Sequence, residues 1–485
     1  MGLLDTAVWH GKIFINEWTD GGGGTSPVIE PATSQQLADQ GFASIEDVAR
    51  ASAAAARAQA EWALRPPEER AGVLRRAGQL FEQYAEEIRW WIQRETGAIA
   101  AKAGLETHVA ANECFEASAL PTLAQGEVLS SNDDRWSFAR RRPLGVVSVI
   151  APFNFPLILS IRAVAPALAT GNAVLLKPDP RTTVSGGYVL ARIFEEAGLP
   201  AGLLQLTPGG GDIGAAVVEA PEVKMVAFTG STAAGRKVGE TCSRLLKRAH
   251  LELGGKNAMI VLEGAGVDKA ASAAAFGSFL HQGQICMTAG RHIVHDSVYD
   301  EYVSALADKA KNLPVGDPTD AGTVIGPIID EKQLARVDGI VQDAVAQGAT
   351  ILAGGEHSGP FYSPTVLTNL TPENIAWREE IFGPVAPVMR FSDLEEAISL
   401  ANDTDYGLSI GILGDVGEAM KIADRVVSGK IHINEQTVSD EAHAPFGGFK
   451  SSGNGTRIGG ATVNLEAFTE IQWLTMRPEI APYPF

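Results

Sequence analysis

Short runs rich in valine, isoleucine and leucine alternate with helical stretches through the middle of this chain. The apolar runs cover residues 145–150, 172–176, 203–206 and 224–228. A strand buried on both faces is apolar throughout, and parallel strands need a crossover between them, usually a helix. The alternation therefore predicts a doubly wound α/β domain. A second alternation, from about residue 257 to about residue 429, predicts another domain of the same class.

The chain has 485 residues, too many for one ordinary core, so we expect two or three domains. We assign residues 1–125 and 144–253 to the first domain and residues 254–430 to the second. The segment 126–143 alternates weakly, and we expect it to form a small β excursion with which the tail, residues 455–485, pairs. Within the first domain, residues 67–96 begin with Pro-Glu-Glu and predict a single helix that stops at Gly97.

Composition narrows the range of partners. Thirty-nine basic residues against 58 acidic ones give a net charge of −19, so nucleic acid and anionic membranes are poor candidate partners. No run of about 18 uncharged apolar residues predicts a membrane span. Three widely spaced cysteines predict neither a disulfide framework nor a metal site, and they suit the cytoplasm. Cys114 and Cys242 lie in helical stretches, and we expect both to be structural.

Three candidate binding elements follow predicted strands of the first domain, at the end where doubly wound sheets bind ligands. Asn154 offers an amide donor to a developing oxyanion, although the Asn-Phe-Pro sequence also suits a simple turn. Lys177 would bind ribose or phosphate oxygens, or would be solvated. The turn from Gly230 to Gly235 leads into a helix whose N–H groups suit pyrophosphate, but it matches neither the dinucleotide fingerprint nor the P-loop.

Two further residues suggest covalent chemistry. Cys286 stands in a loop after a predicted helix, with Gly283 reducing bulk nearby, and a thiolate is the nucleophile that an aldehyde carbon needs. A lone cysteine is otherwise most often a buried small hydrophobe. Glu252 lies 34 residues earlier, just before the pair Gly254-Gly255. Alone, that pattern most often marks a turn.

Together these segments resemble the aldehyde dehydrogenase superfamily, and the matches fall in family order across nearly the whole chain. The matching segments are 151–156, 177–180, 228–235, 251–257, 281–291, 379–384 and 445–453. The resemblance implies that Cys286 attacks the aldehyde and becomes a thioester. It implies that Asn154 and the Cys286 N–H hold the oxyanion, and that Glu252 activates water for hydrolysis.

The resemblance also implies NAD or NADP as cofactor, with a dinucleotide-binding first domain, a catalytic second domain and an oligomerisation excursion. Lys177 would contact the adenosine ribose, Ser231 the pyrophosphate, and Glu380 the nicotinamide ribose. The full set of implied cofactor contacts is Phe153, Lys177, Gly230, Ser231, Gly235, Gln333, Glu380 and Phe382.

One departure from the family pattern concerns the choice between NAD and NADP. Many NAD-preferring members carry Glu three residues after the lysine, where this chain has Pro180. The loss of that acid removes a group that would repel a 2′-phosphate, so we expect NADP to be accepted, with Arg181 assisting. Asp179 could partly replace the missing acid, which leaves NAD use open.

The run Lys-Pro-Asp-Pro-Arg-Thr and the segment Asn-Glu-Gln at 434–436 resemble the benzaldehyde, vanillin and salicylaldehyde dehydrogenases. An aromatic aldehyde is thus the implied substrate, although an apolar tunnel also suits aliphatic aldehydes. Arg162 and His443 would recognise a hydroxyl or carboxylate, or would be paired structurally. The implied pocket residues are Phe155, Leu159, Arg162, Leu280, Ile285, Met287, His443 and Phe446.

Two alternative functions remain open at this point. A semialdehyde dehydrogenase that transfers the acyl group to CoA would not need Glu252 as a base. A non-enzymatic NAD-binding structural protein would not need Cys286, Glu252 and Asn154 together. For a hydrolytic or a CoA-acylating aldehyde dehydrogenase, the family implies a homodimer or homotetramer assembled through the β excursion.

Overall fold

The computed structural model describes residues 2–485 and contains sixteen α-helices and twenty-three strands over that range. The strands are β1 (Lys12–Ile15), β2 (Glu17–Asp20), β3 (Thr25–Ile29), β4 (Gln36–Gly41), β5 (Gly126–Val128), β6 (Trp136–Pro143), β7 (Val146–Ile150), β8 (Ala173–Lys177), β9 (Leu204–Leu206), β10 (Val223–Thr229), β11 (Arg248–Glu252), β12 (Asn257–Val261), β13 (Ala289–His295), β14 (Thr350–Ala353), β15 (His357–Ser358), β16 (Phe361–Tyr362), β17 (Thr365–Thr368), β18 (Val385–Phe391), β19 (Tyr406–Gly407), β20 (Ser409–Leu413), β21 (Lys430–Ile433), β22 (Phe449–Lys450) and β23 (Thr469–Met476).

The helices are α1 (Thr6–Trp9), α2 (Ile45–Trp62), α3 (Pro67–Gln83), α4 (Ala85–Thr96), α5 (Ala100–Ala117), α6 (Pro156–Ala169), α7 (Val189–Glu196), α8 (Gly211–Glu219), α9 (Thr232–Arg244), α10 (Val267–Phe279), α11 (Asp296–Asn312), α12 (Glu331–Ala346), α13 (Ile375–Arg378), α14 (Leu394–Asn402), α15 (Val416–Ala423) and α16 (Ala461–Phe468). Among the described residues, none of them combines the length and the apolar character that crossing a membrane requires.

The first large sheet has the strand order β11-β10-β7-β8-β9-β1-β2. The strands from β11 to β9 are parallel, and β1 and β2 extend the sheet in antiparallel fashion. The four predicted apolar runs are β7, β8, β9 and β10, so the predicted doubly wound sheet is confirmed. The sequence did not predict β11, because this edge strand begins with two half-buried residues and has no continuous apolar run.

The second large sheet has the order β14-β17-β18-β13-β12-β20-β21, and every pairing in it is parallel except that of β14 with β17. It begins at Asn257, as the second alternation predicts, and its last strand starts at Lys430. Helix α10 packs against α11 beside this sheet. The second predicted α/β unit is therefore confirmed as a sheet with crossover helices.

The predicted β excursion is a three-stranded antiparallel sheet in the order β23-β6-β5. Thr469 of the tail pairs with Pro143, and the register continues to Met476 opposite Trp136. The predicted pairing of the tail with the excursion is confirmed. Large apolar side chains on this sheet are exposed, including Val128, Trp136, Ile471 and Trp473.

The helix predicted over residues 67–96 is wrong in one respect, because the structure divides it into α3 and α4. Tyr84 has φ −101° and ψ 18°, outside the helical region, and its hydroxyl donates to Glu196 at 2.8 Å. The stop at Gly97 is confirmed: this glycine is left-handed, with φ +69°.

The parallel strands of the first sheet place the candidate residues at one edge. Ile150 pairs with Lys177 and Thr229 pairs with Glu252, so the carboxyl ends of four neighbouring strands lie side by side. Asn154 follows β7, Gly230 follows β10, and Lys177 and Glu252 end their own strands. The ligand edge of the doubly wound sheet therefore carries the motif residues.

Candidate active site

A cleft of about 880 Å³ opens at this edge of the sheet. Most residues implied as cofactor contacts line it, together with two of the implied catalytic residues. Those residues are Phe153, Asn154, Lys177, Gly230, Ser231, Cys286, Gln333, Glu380 and Phe382, and the implied pocket residue Leu159 lines the cleft as well. Segments far apart in the sequence thus meet around one cavity.

The start of α9 forms one end of the cleft. Ser231 caps the helix, its hydroxyl accepting from the Ala234 N–H at 3.3 Å, while the Gly230 N–H donates to the carbonyl of Glu252 at 3.0 Å. Gly235 lies one turn further on and is buried; a Cβ there would collide with the Leu253 side chain. The glycine therefore allows α9 to pack closely beside β11, which brings a helix N-terminus to the cleft.

Lys177 and its neighbours form the part of the cleft that bears on the NAD or NADP choice. Burial lowers the pKa of Lys177, whose side chain lines the cleft. Arg181 donates to both oxygens of Asp179 at 2.8 and 2.9 Å and to Asp330 at 2.7 Å, and it lies over the ring of Phe153. Two carboxylates neutralise this guanidinium, so it is not free to pair with a 2′-phosphate.

Phe382 and Phe153 face each other across the cleft, with ring centroids 5.8 Å apart. Phe382 has φ +58°, a conformation that is uncommon for a residue with a side chain. The Gln333 side chain donates to the Phe382 carbonyl at 2.9 Å and also to that of Ile381. Gln333 thus holds the turn that presents Phe382.

Glu380 is a buried carboxylate that lines the cleft. Its Oε1 accepts from the Gly255 N–H at 2.9 Å, and a Cβ on Gly254 would collide with its Oε2. Burial is the main cause that raises the pKa of Glu380 to about 7. The Gly-Gly pair therefore allows this carboxylate to approach the backbone closely.

An unusual turn places Cys286. His281 and Gln282 have φ +48° and +56°, and Gly283 has φ +65°, so three consecutive residues are left-handed. A Cβ on Gly283 would collide with the carbonyl of Gly383. The Asn257 side chain then donates to the Cys286 carbonyl at 2.8 Å. The turn and this bond fix the backbone on both sides of the thiol.

Burial is the main cause that raises the pKa of the Cys286 thiol to about 12, and the negative charges of Glu380 and Glu252 act in the same direction. The positive charge of Lys430 acts in the opposite direction and lowers the pKa of the thiol. The thiol is therefore protonated near neutral pH and loses its proton only when it reacts.

Asn154 is buried beside this thiol-bearing loop. Its side-chain amide nitrogen donates to the carbonyl of Gln284 at 2.8 Å. Its backbone carbonyl accepts from the ammonium of Lys102 at 2.7 Å. A side-chain amide carries two N–H donors, of which Gln284 takes one. The other is available at the wall of the cleft.

Glu252 borders a second, small cavity of about 20 Å³, together with Arg162, His250 and Phe446, and Leu159 lines both cavities. Among the described residues, neither carboxylate oxygen of Glu252 has a close hydrogen-bond partner, and the Nε2 of His250 lies 3.6 Å from its Oε1. Burial raises the pKa of Glu252 to about 8, and nearby cations oppose that shift. A space of this size admits one water molecule next to an unpaired carboxylate.

An apolar cluster surrounds Cys286 on its other side. Met287, Phe446 and Ile285 are buried in it with Leu408, and four partly buried side chains pack against it, namely Phe155, Leu280, Val438 and Cys286 itself. The structure thus brings five of the implied pocket residues together around the thiol. Leu159 approaches from the cleft.

Two implied pocket residues behave differently. Arg162 is buried and paired with Glu113 at 2.8 Å and with Asp440 at 2.7 Å, which fits the structural alternative for this residue. His443 lies outside the pocket: its side chain is 67% exposed and pairs with Glu441 at 2.9 Å. The prediction for His443 is therefore corrected, because the loop that carries it turns the imidazole toward solvent.

The model of the aldehyde dehydrogenase family matches residues 18–474. The chain belongs to the aldehyde dehydrogenase family. The resemblance inferred from its motifs is thereby confirmed.

Relatives of this aldehyde dehydrogenase include a vanillin dehydrogenase of Amycolatopsis sp., 57% identical over the whole of both chains. A benzaldehyde dehydrogenase [NAD(+)] of Pseudomonas putida is 46% identical, with 99% of this chain and 98% of the relative covered. An NADP-dependent enzyme of E. coli has a similar crystal structure, with a TM-score of 0.94 and 33% identity over 98% of this chain and 99% of that one.

Sequence reasoning missed four buried ionisable residues beside the pocket of this aldehyde dehydrogenase. They are Glu113, His250, Lys430 and Asp440. They come from α5, β11, β21 and the loop after β21, so no local motif connects them. Over residues 2–485, no cluster of three or more His, Cys, Asp and Glu side chains suits a metal ion.

Proposed function

We propose that this aldehyde dehydrogenase oxidises an aromatic aldehyde to the carboxylic acid with NAD(P)+, through a thioester on Cys286. The observation that carries the proposal is the position of Cys286 between a cofactor-sized cleft and an apolar cluster that contains Phe155 and Phe446. The vanillin and benzaldehyde dehydrogenases among its relatives favour an aryl ring at that cluster.

The residues of the cleft fit a dinucleotide. Ser231 and the Gly230–Gly235 turn would hold the pyrophosphate at the N-terminus of α9, Lys177 the adenosine ribose and Glu380 the nicotinamide ribose. Phe382 and Phe153 would pack beside the nicotinamide, with Gln333 holding the Phe382 turn. When bound, the cofactor supplies the acceptor for the hydride that leaves the substrate.

In the first half of the reaction, the Cys286 thiol releases its proton to water in the cleft as its sulfur bonds to the aldehyde carbon. The negative charge moves to the former carbonyl oxygen. The free N–H of Asn154 and the backbone N–H of Cys286 stabilise that oxyanion. Departure of hydride from the same carbon then restores the carbonyl and leaves an acyl thioester on Cys286.

In the second half, Glu252 accepts a proton from water while the water oxygen attacks the thioester carbonyl. The carbon–sulfur bond breaks, the carboxylic acid leaves, and the departing Cys286 thiolate takes up the proton that Glu252 accepted. The unpaired oxygens of Glu252 and the small cavity beside them support this role. Acyl transfer to CoA needs no such base, so the hydrolytic reaction is favoured over the CoA-acylating alternative.

We propose that the cleft accepts both NAD+ and NADP+. Pro180 leaves the ribose end without the acid that would repel a 2′-phosphate, and Lys177 supplies positive charge there. Since Arg181 is already neutralised by Asp179 and Asp330, its proposed assistance to NADP is withdrawn. Relatives with NAD(+) and with NADP in their names support dual use.

The three-stranded sheet β23-β6-β5 is proposed as the oligomerisation surface of a homodimer or homotetramer. Its exposed Ile471 and Trp473 lie two residues apart on β23 and share one face of the sheet, an apolar surface of the kind that marks protein interfaces. We also propose a dinucleotide-binding domain of residues 1–125 and 144–253, a catalytic domain of 254–430 and a cytoplasmic location. Light scattering of wild type and Trp473→Glu would test the oligomer.

The direct test of function mixes the enzyme with benzaldehyde and NAD+ or NADP+ and follows the absorbance of the reduced cofactor. We expect reduction with benzaldehyde and release of benzoate. Formation of benzoyl-CoA on addition of CoA would favour the acylating alternative. Cofactor binding without reduction by any aryl or alkyl aldehyde would favour the structural alternative.

A further inference from the structure

Two buried charged side chains, Arg162 and Glu113, and two half-buried ones, Lys430 and Asp440, form a cluster behind the apolar pocket. Arg162 pairs with Glu113 and Asp440, and Lys430 pairs with Asp440 at 3.0 Å. Two cations thus face two carboxylates. The guanidinium of Arg162 is held between both acids, while its Nη2 has no hydrogen-bond partner among the described residues.

Lys430 is held differently, because only two of its three ammonium donors have strong partners. One bonds to Asp440 Oδ1 and another to the carbonyl of Ser439, each at 3.0 Å. The remaining contact is with the sulfur of Met287 at 3.6 Å. A thioether is a weak acceptor, so this third N–H lacks a good partner among the described residues.

The third donor of Lys430 points toward the pocket. Met287 follows Cys286 directly in the chain, and the Lys430 ammonium lies 4.2 Å from the centre of the Phe446 ring. Both residues belong to the apolar cluster around the thiol. The Lys430 side chain is 9% exposed, so it is nearly but not fully covered.

We propose that Lys430 is a specificity-determining residue that donates a hydrogen bond to a ring hydroxyl of the aromatic aldehyde. The proposal rests on the oxidation of aromatic aldehydes through Cys286 proposed above. A polar group built into an apolar pocket discriminates against a substrate that leaves it unpaired. The preferred substrates are therefore hydroxylated benzaldehydes rather than alkylbenzaldehydes of the same shape.

The test compares kcat/KM for two matched substrate pairs, 3- and 4-hydroxybenzaldehyde against 3- and 4-methylbenzaldehyde. Hydroxyl and methyl groups are similar in size, so each ratio reports recognition of the oxygen. In Lys430→Met we expect the hydroxyl-to-methyl ratio of at least one pair to fall about tenfold, the typical loss of a hydrogen bond to a charged group. The intrinsic reactivity of each aldehyde cancels when the variant is compared with wild type.

Lys430→Met leaves Asp440 paired with Arg162, so no buried carboxylate becomes isolated. Lys430→Gln keeps an N–H donor without the charge, and we expect an intermediate ratio from it. Lys421→Met is the matched control, since Lys421 is an exposed lysine paired with Glu418 at 2.6 Å. It should leave both ratios unchanged.

The proposal would be overturned if kcat/KM fell equally for hydroxyl and methyl substrates in both Lys430 variants. Such a result would assign Lys430 a general electrostatic or structural effect. Unchanged ratios would overturn it as well. Failure of the proposed function looks different: the wild-type enzyme would then reduce NAD(P)+ with none of the four aldehydes.

Discussion

The proposed cofactor cleft and the proposed aldehyde pocket meet at Cys286, but they are composed of different structural elements. The cleft uses short segments at the ends of neighbouring strands, and many of its binding groups are backbone N–H groups or residues such as Lys177 and Ser231. The pocket uses scattered apolar side chains backed by buried ion pairs. A motif can therefore specify the cleft, whereas only the tertiary fold assembles the pocket.

The two regions also hold their carboxylates differently. Glu380, on the cleft side, accepts an N–H from Gly255, while Glu252, on the pocket side, has no hydrogen-bond partner among the described residues. Burial raises the pKa of both. A carboxylate held by the backbone suits binding, and an unpaired one suits proton transfer to and from water.

The largest expected effect comes from the residue that both regions share. Cys286→Ala removes the nucleophile, and we expect aldehyde oxidation to fall by roughly 10⁴-fold or more. The measurement is steady-state reduction of NAD+ with benzaldehyde, with Cys242→Ala as the matched control because Cys242 lies in α9. Appreciable turnover by Cys286→Ala would exclude the thioester.

The next largest effect is expected at Glu252, which lies on the pocket side and not on the cleft side. Glu252→Gln should slow turnover by about 10²- to 10³-fold, the usual contribution of a general base, because the thioester is no longer hydrolysed. Rapid mixing should still show a burst of reduced cofactor. If the burst disappears along with turnover, Glu252 acts before hydride transfer.

The pH dependence of turnover tests the same carboxylate without a mutation. Since burial raises the pKa of Glu252 to about 8, the residue is protonated and inactive as a base below that pH and ionised above it. Deacylation should rise roughly tenfold between pH 7 and pH 9. A flat profile for the deacylation rate over this range would contradict the role of Glu252.

The smallest effect lies at the far end of the cleft. Pro180→Glu places a negative charge where a 2′-phosphate would bind, at a cost of about 1 kcal/mol at a solvated site, or about a fivefold loss of NADP+ use relative to NAD+. The ratio of kcat/KM for the two cofactors measures it. An unaltered ratio would show that residue 180 does not face the ribose.

The sequence predicts the fold well where burial is uniform. Strands β7 and β8 are buried throughout and appear in the sequence as predominantly apolar runs. The edge strand β11 has a mixed sequence, so it could not be recognised. The interruption at Tyr84 arises from tertiary contacts, which helical periodicity does not record.

The same limit applies to the site. Lys177, Glu252 and Cys286 stand in motifs whose spacing follows the strands, so they could be proposed from the sequence. Lys430 lies 144 residues after Cys286, and only the fold brings it to Met287 and Phe446. His443 was proposed from its place just before a matching segment, but local sequence does not reveal which way a loop turns.

The most direct measurement of the central claim is the intact mass of Glu252→Gln shortly after mixing with benzaldehyde and NAD+. Slow hydrolysis should trap the acyl-enzyme, so we expect the mass of one benzoyl group to be added, and peptide mapping should place it on Cys286. Wild type under the same conditions should carry far less adduct. Reduced cofactor formed without any adduct, or an adduct on another residue, would contradict a thioester at Cys286.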